Sequence, residues 1–403
     1  MRRLYLLCLL VPAIGLFSPA ARAQAKPKLR AFTMVRPARD ASGHVVRAED
    51  ATATSSLATF TYNVISSRDG NSYTGVMVGQ DPFSAGFTQT TVTTPIIPLI
   101  ITTNGVAIKL NKHGILAAVK GSTTFDPTAA DTSCLSAPND VPETVFQQSP
   151  IFKDNDFVFG ATDVGTTQYL DAFQRANFWG SVQGTDYHTL VNPVILPPVT
   201  LNIGIAHALA IPPALFGSCG SLGIIDIKTF DSIVSETLLP QLAAEGVDTS
   251  QFPIFLMYNV VLSIADPHNL NQCCVLGFHG ASGSPIQTFS PLDFDTTGLF
   301  GPAIHDTSIA AHEVGEWMDD PFGNNPTPAW GHTGQVGGCQ NNLEVGDPLT
   351  GTNVPHVVGA NGFTYHLQEL AFFSWFYGAP SIAANGWFSD NNTFKTDAGP
   401  PCQ

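Results

Sequence analysis

Apolar and polar residues alternate over residues 57–65, a turn follows at Arg68-Asp69-Gly70-Asn71, and the alternation returns over residues 72–78. Two period-two runs joined by a Gly/Asn turn predict a hairpin. Residues 93–103 form an apolar, β-branched run, in which Pro95 and Pro98 argue against a central strand along its full length. The period then lengthens: Tyr169, Phe173, Ala176 and Trp179 recur at helical spacing and predict a helix over residues 167–179. Further on, strands and helices alternate. Residues 222–227 read as a strand, 229–244 as an amphipathic helix ended by Gly246, and 254–264 as one buried strand. A helix over about residues 306–318 follows, capped by Asp306 or Thr307 and stopped by Asp320-Pro321. The pattern predicts an α/β (α+β) chain: a β-rich part over residues 56–200, then alternating strands and helices over 201–403 that are compatible with a zincin-like mixed sheet, the two parts compatible with one continuous domain.

The start of the chain changes the picture of where it works. Arg2 and Arg3 precede an apolar run over residues 4–17, then Ala21-Arg22-Ala23, which reads as a cleavable export signal over residues 1–23 with Gln24 as the mature N-terminus. Later segments lack the roughly 20 unbroken apolar residues of a membrane span, so the expected location is secreted, extracellular or periplasmic. Residues 24–55 hold Lys26, Lys28, Arg30, Arg36, Arg39 and Arg47 with little apolar periodicity and read as a flexible leader, with a removable pro-segment as the alternative. Without the signal, 14 basic side chains face 32 acidic ones, a net charge of −18. Nucleic acid and anionic membranes are therefore poor partners. Cys134, Cys219, Cys273, Cys274, Cys339 and Cys402 remain, an even number that in an exported chain predicts disulfides. Adjacent Cys273 and Cys274 are expected to pair with distant partners rather than with each other.

The candidate chemistry lies in Ala310-Ala311-His312-Glu313-Val314-Gly315-Glu316-Trp317-Met318-Asp319. Ionisable side chains on an otherwise apolar helix need a compensating partner. Residues four apart share a helical face, so His312 and Glu316 can reach one cation while Glu313 faces a water molecule as general base. This is the His-Glu-x-x-His pattern with a carboxylate in place of the second histidine. The third ligand must come from elsewhere. Glu344 is the first candidate, and Asp347, His279 and Asp319 are the alternatives. Zinc is the expected ion; a carboxylate-rich shell also suits calcium or manganese.

Tyr258-Asn259-Val260-Val261-Leu262-Ser263, Cys274-Val275-Leu276-Gly277-Phe278-His279, Asp320-Pro321-Phe322-Gly323-Asn324, Leu343-Glu344 and Gly359-Ala360-Asn361-Gly362 resemble the phosphate-induced, EXORDIUM-like family of extracellular proteins, over about residues 254–403. His312-Glu313-Val314-Gly315-Glu316-Trp317 separately resembles the active-site helix of pappalysin-type metzincins, with Glu316, Asp319 and Phe322 at that family's second histidine, glycine and third histidine positions. The first likeness implies an extracellular or cell-surface role, and the second a peptidase-like hydrolase acting on a peptide or protein. The alternative is a non-catalytic extracellular binding protein whose cluster is a structural polar network or structural ion site. Cell-wall or carbohydrate contact is a third reading, suggested by the Asn- and Thr-rich surface.

Other residues carry plainer expectations. His305 and His332 flank the helix and its exit loop and can bind a substrate oxyanion, Trp317 and Trp330 read as packing, and His366 is given no role. Asp154-Asn155-Asp156 and Asp293-Phe294-Asp295 read as solvated turns rather than ion loops. Export predicts that N-terminal sequencing of the exported protein begins at Gln24; a first residue of Met1 would refute the signal.

Overall fold

A computed structural model describes residues 29–31, 34, 36–135, 140–333, 338–352, 354–400 and 402. The export signal and the predicted mature N-terminus lie outside these residues. The predicted hairpin forms: β1 (Thr59–Ile65) and β2 (Ser72–Val78) pair antiparallel. The next strand, β3 (Gln89–Leu110), corrects the sequence reading, because its 22 residues run unbroken through the centre of the main sheet. It pairs with β4 (Leu116–Phe125), and, after the small hairpin β5 (Asn155–Phe159) and β6 (Thr162–Thr167), with β7 (His188–Ile195), β8 (Val199–Ile203) and β9 (Ala208–Ile211). Its prolines are tolerated because the partners change beside them. Pro98 lies past the end of β7 at Ile96↔Ile195 and before β8 begins at Leu99↔Val199. Pro95 precedes the first pair with the strand on the other side, Ile96↔Ile254. Each keeps a partner on one side, Val194 for Pro95 and Leu256 for Pro98, and lacks one on the other, where a missing N–H costs little.

The apolar run over 254–264 is likewise not one strand. β10 (Leu222–Asp226) is followed by β11 (Ile254–Tyr258) and β12 (Val260–Ser263), which separate at Asn259, whose φ of 53° turns the chain. β11 enters between β3 and β15 (Gln287–Phe294), whereas β12 lies between β10 and β13 (Cys273–Val275). β14 (Gly280–Ser282) closes the far margin beside β15. Parallel strands covered on both faces read as continuous apolar runs, which hides such a break. Within β11 the pleat divides its side chains between two cores. Ile254, Leu256 and Tyr258 join Ala310, Val314 and Trp317, while Phe255 and Met257 join Phe230, Val234 and Leu238.

Helices cover both faces of this mixed α+β sheet. The helix predicted over 229–244 is α1 (Ile227–Ile233), a π-helical turn (Val234–Leu238) and α2 (Leu239–Ala244). Pro240 has no N–H for the helical ladder, and the wider turn ahead of it absorbs the break. On the opposite face lies α3 (Ser308–Asp319), with all twelve residues buried. It packs against β15, β2 and the helix Tyr169–Asn177, the last forming where helical spacing predicts it. Trp317 is core, stacked on Phe252 with ring centroids 3.9 Å apart. Asp293 and Asp295, expected in a solvated turn, are fully buried at the end of β15.

The leader is also corrected. From Ala38 the chain lies on the body: Ala38 N–H donates to Phe322 O, Arg39 N–H to Ala281 O, and Ala38 and Ala51 are fully buried beside Val76, Ile286 and Phe322. Upstream, Leu29 and Ala31 are buried too, and Cys274 N–H donates to Arg30 O. Two disulfides form among the described residues. Cys134–Cys219 bridges distant segments, but Cys273 and Cys274 bond to each other, contrary to expectation. Cys339 and Cys402 are exposed free thiols. Among the described residues no helix is long and apolar enough to cross a membrane.

Trp317→Ala should lower stability by about 3–5 kcal/mol, the cost of emptying a large buried aromatic site. Ile65→Ala, on an exposed edge position, should change it by less than about 0.5 kcal/mol. Urea unfolding of both variants checks the contrast, and comparable losses would refute the assigned core.

Candidate metal centre

Three loops converge on one face of α3. His279 arrives on the stretch after β13, Glu344 and Asp347 follow the hairpin of β16 (Pro326–Gly331) and β17 (Cys339–Asn342), and Gln368 follows the hairpin of β18 (His356–Val358) and β19 (Thr364–His366). His312, Glu313 and Glu316 project from the helix into the same volume. All six ionisable groups are less than a tenth exposed.

The two oxygens of Glu316 face two separate clusters. Oε1 is 3.0 Å from His312 Nε2, and Asp347 Oδ1 is 3.3 Å from that same nitrogen. Oε2 is 3.6 Å from His279 Nδ1, which also faces Glu313 Oε2 at 3.7 Å and Glu344 Oε2 at 3.9 Å. The structure therefore brings together His312, Glu313, Glu316, Glu344, Asp347 and His279, but regroups them. The expected set of His312, Glu316 and Glu344 is corrected: Asp347, not Glu344, completes the His312 group, and Glu344 stands with His279. Asp319 is brought into neither group; its Oδ1 accepts from Gln174 Nε2.

Hydrogen bonds fix what each ring presents. Gln368 Nε2 donates to Gly346 O, so its Oε1 is left to accept from His312 Nδ1 at 3.1 Å. The His312 Nε2 edge stands 3.0 Å from Glu316 Oε1, which also accepts the Gly346 and Asp347 amides at 3.2 and 3.1 Å, while Asp347 Oδ1, 3.3 Å from the ring, has no hydrogen-bond partner. His279 differs. Its Nε2 donates to Asp320 O at 2.9 Å, and its Nδ1, facing three carboxylates, has no hydrogen-bond partner. Two atoms bound about 2.1 Å from one ion at tetrahedral or trigonal angles stand about 3.4–3.6 Å apart. The 3.6–3.9 Å spacings around Nδ1 are too long for hydrogen bonds and close to those of ligands sharing a cation.

Two glycines make the room. A Cβ on Gly346 would meet the His312 ring at 2.6 Å, and one on Gly277 would lie 3.0 Å from Glu313 Cγ. Neither glycine, nor Gln368, carries a sequence signal that marks it as part of a site.

Charge is unbalanced here. Four carboxylates surround two imidazoles, and the ion pairs formed by these six groups are all with each other. Burial lowers the affinity of His279 and His312 for a proton, but the neighbouring carboxylates outweigh it and raise both well above the ordinary histidine value. Burial raises Glu313, Glu344 and Asp347, and Glu316 pushes all three up further. Glu316 is held well below the usual range because His312 and His279 outweigh its burial.

The centre meets solvent through a narrow recess of about 30 Å³, walled by Ala31, Gly277, Ile309, His312, Glu313 and Gln368. It admits a water-sized group, not a peptide chain. His332 Nδ1 is 3.2 Å from Asp347 O, and Trp330 donates to Asn342 O, so both support the β16–β17 hairpin. His305 and His366 meet instead at Asp306. No family model, curated protein or solved structure matches this chain.

Asp319 gives a pH signature. Burial pushes its carboxyl up to about 7, from an ordinary 3.8. The folded state thus holds this proton more tightly than the unfolded one, so its contribution is full below about pH 4, falls as pH rises towards 7, and levels beyond. In Asp319→Asn, stability should decline less steeply between pH 4 and 7 than in the parent; identical slopes in denaturation at stepped pH would refute the shift.

Proposed function

We propose that the chain is an exported metal-dependent hydrolase whose cation is held by His279 Nδ1 and Glu316 Oε2, which with Glu313 offer ligand atoms within 4.8 Å of one another, and by Glu344, which must close in from 3.9 Å from that nitrogen, with Glu313 as general base. The observation that carries this reading is the buried, unpartnered Nδ1 of His279, its opposite nitrogen fixed on Asp320 O, facing three carboxylates. One nitrogen and two oxygens suit zinc first and manganese next; calcium is less favoured with an imidazole ligand. When bound, the cation supplies a Lewis acid that makes a water molecule a better nucleophile. Glu313 borders the recess, so its carboxylate is placed to take a proton from an entering water and return it to a leaving group. His312 serves as a positioning residue, holding Glu316 Oε1 so that Oε2 stays turned to His279.

Peptide bonds are the proposed substrate class, reached only if the wall formed by Ala31 moves aside. The smallness of the recess favours a second reading: a non-catalytic extracellular protein of the EXORDIUM-like type, in which the same groups form a structural polar or ion cluster. Elemental analysis of purified mature protein, with turnover on a broad peptide library, separates the two. Parent and Glu313→Gln should each retain an ion, while Glu313→Gln loses turnover by at least about 10²-fold. His279→Ala and Glu344→Gln should lose the ion. An ion retained without turnover in the parent supports the second reading, and absence of both ion and turnover leaves only its polar-network form.

A further inference from the structure

We infer that His305, Asp306 and His366 form a second, separate binding site for a transition-metal ion that favours imidazole, such as zinc, copper(II) or cobalt(II), at the N-terminal end of α3. It shares no ligand with the buried centre and does not rest on the reading given to it. Asp306 is the anchor. It is buried, adopts a φ of 32°, and its Oδ1 accepts from the Thr307 amide and, at 2.9 Å, from the His366 amide. Its Oδ2 faces two imidazole nitrogens, His305 Nδ1 at 3.0 Å and His366 Nδ1 at 2.5 Å. The three ligand atoms lie within 4.8 Å of one another.

Two histidines and one carboxylate on one side of an ion form a facial set, with the remaining positions open. Ligands at right angles and about 2.1 Å from an ion stand about 3.0 Å apart. The His305 spacing already matches, and His366 must open by about 0.5 Å. Both rings have room to adjust, being 29% and 22% exposed. His356, across the β18–β19 hairpin, sets its ring 4.5 Å from that of His366 and brings a third imidazole beside the set. An ion here would tie the β18–β19 hairpin to the start of α3, where Thr307 Oγ1 already donates to His366 O at 2.9 Å.

The test is titration of chelator-stripped mature protein with cobalt(II), followed by calorimetry, visible absorption and thermal melting. One equivalent should be lost, or weakened at least tenfold, in His305→Ala and in His366→Ala, and retained in Glu344→Gln. Saturation should raise the melting temperature of the parent more than that of either histidine variant. His305→Gln, at the more exposed position, serves as the folded control if an alanine variant fails to fold. Isotherms unchanged by all three histidine substitutions, or an equivalent lost only on changing His113 or His268 elsewhere on the surface, would overturn the proposal.

Discussion

Burying more negative than positive side chains on one helix face is the constraint on which this structure turns. Removing a carboxylate from water is expensive, and an unpaired one changes its protonation state or finds a cation. Around α3 four acids meet two imidazoles, and each imidazole is fixed by a hydrogen bond at its far nitrogen, to Gln368 at one and to Asp320 O at the other. The solutions differ on the two sides of Glu316. Toward His312 the distances are those of hydrogen bonds, reinforced by two backbone amides. Toward His279 they are longer and leave a ring nitrogen unsatisfied.

The fold supplies this arrangement through layers rather than local motifs. The central sheet divides the apolar residues of β11 between two cores, and α3 rests on one of them, anchored by the Trp317–Phe252 stack. The stretch after β13 and the segments after two small separate hairpins can then be brought over the helix. Gly277 and Gly346 let the loop backbone come against Glu313 and His312, closer than any side chain would permit.

What could be read beforehand follows from the range of the physical signal. Helix α3, its stop at Asp320-Pro321 and the shared face of His312 and Glu316 rest on spacing within a dozen residues, and all appear in the structure. The pairing of Glu344 with His279 depends on how three distant loops are ordered, which no local pattern encodes. Asn259 illustrates another limit. Its positive φ sends one apolar run to two places in the sheet, yet its neighbours look alike on either side because both strands are buried. The prolines of β3 mislead for the opposite reason: the general cost of a missing donor disappears where ladder partners change. Low periodicity in the leader conceals its packing, because its contacts run through backbone groups, small alanines spaced without a period, Leu29 and the Arg36–Asp231 pair.

That leader has a practical consequence. Arg39 forms a parallel bridge with Ser282, its N–H donating to Ala281 O and its carbonyl accepting from Gly283 N–H, along the outermost strand of the main sheet. A recombinant version shortened to begin near residue 56, as the chain's composition invites, would strip that margin and bare hydrogen-bonding groups able to recruit another molecule. Clumping of such a preparation would reflect the missing cover, and would say nothing against the integrity of the body beneath it.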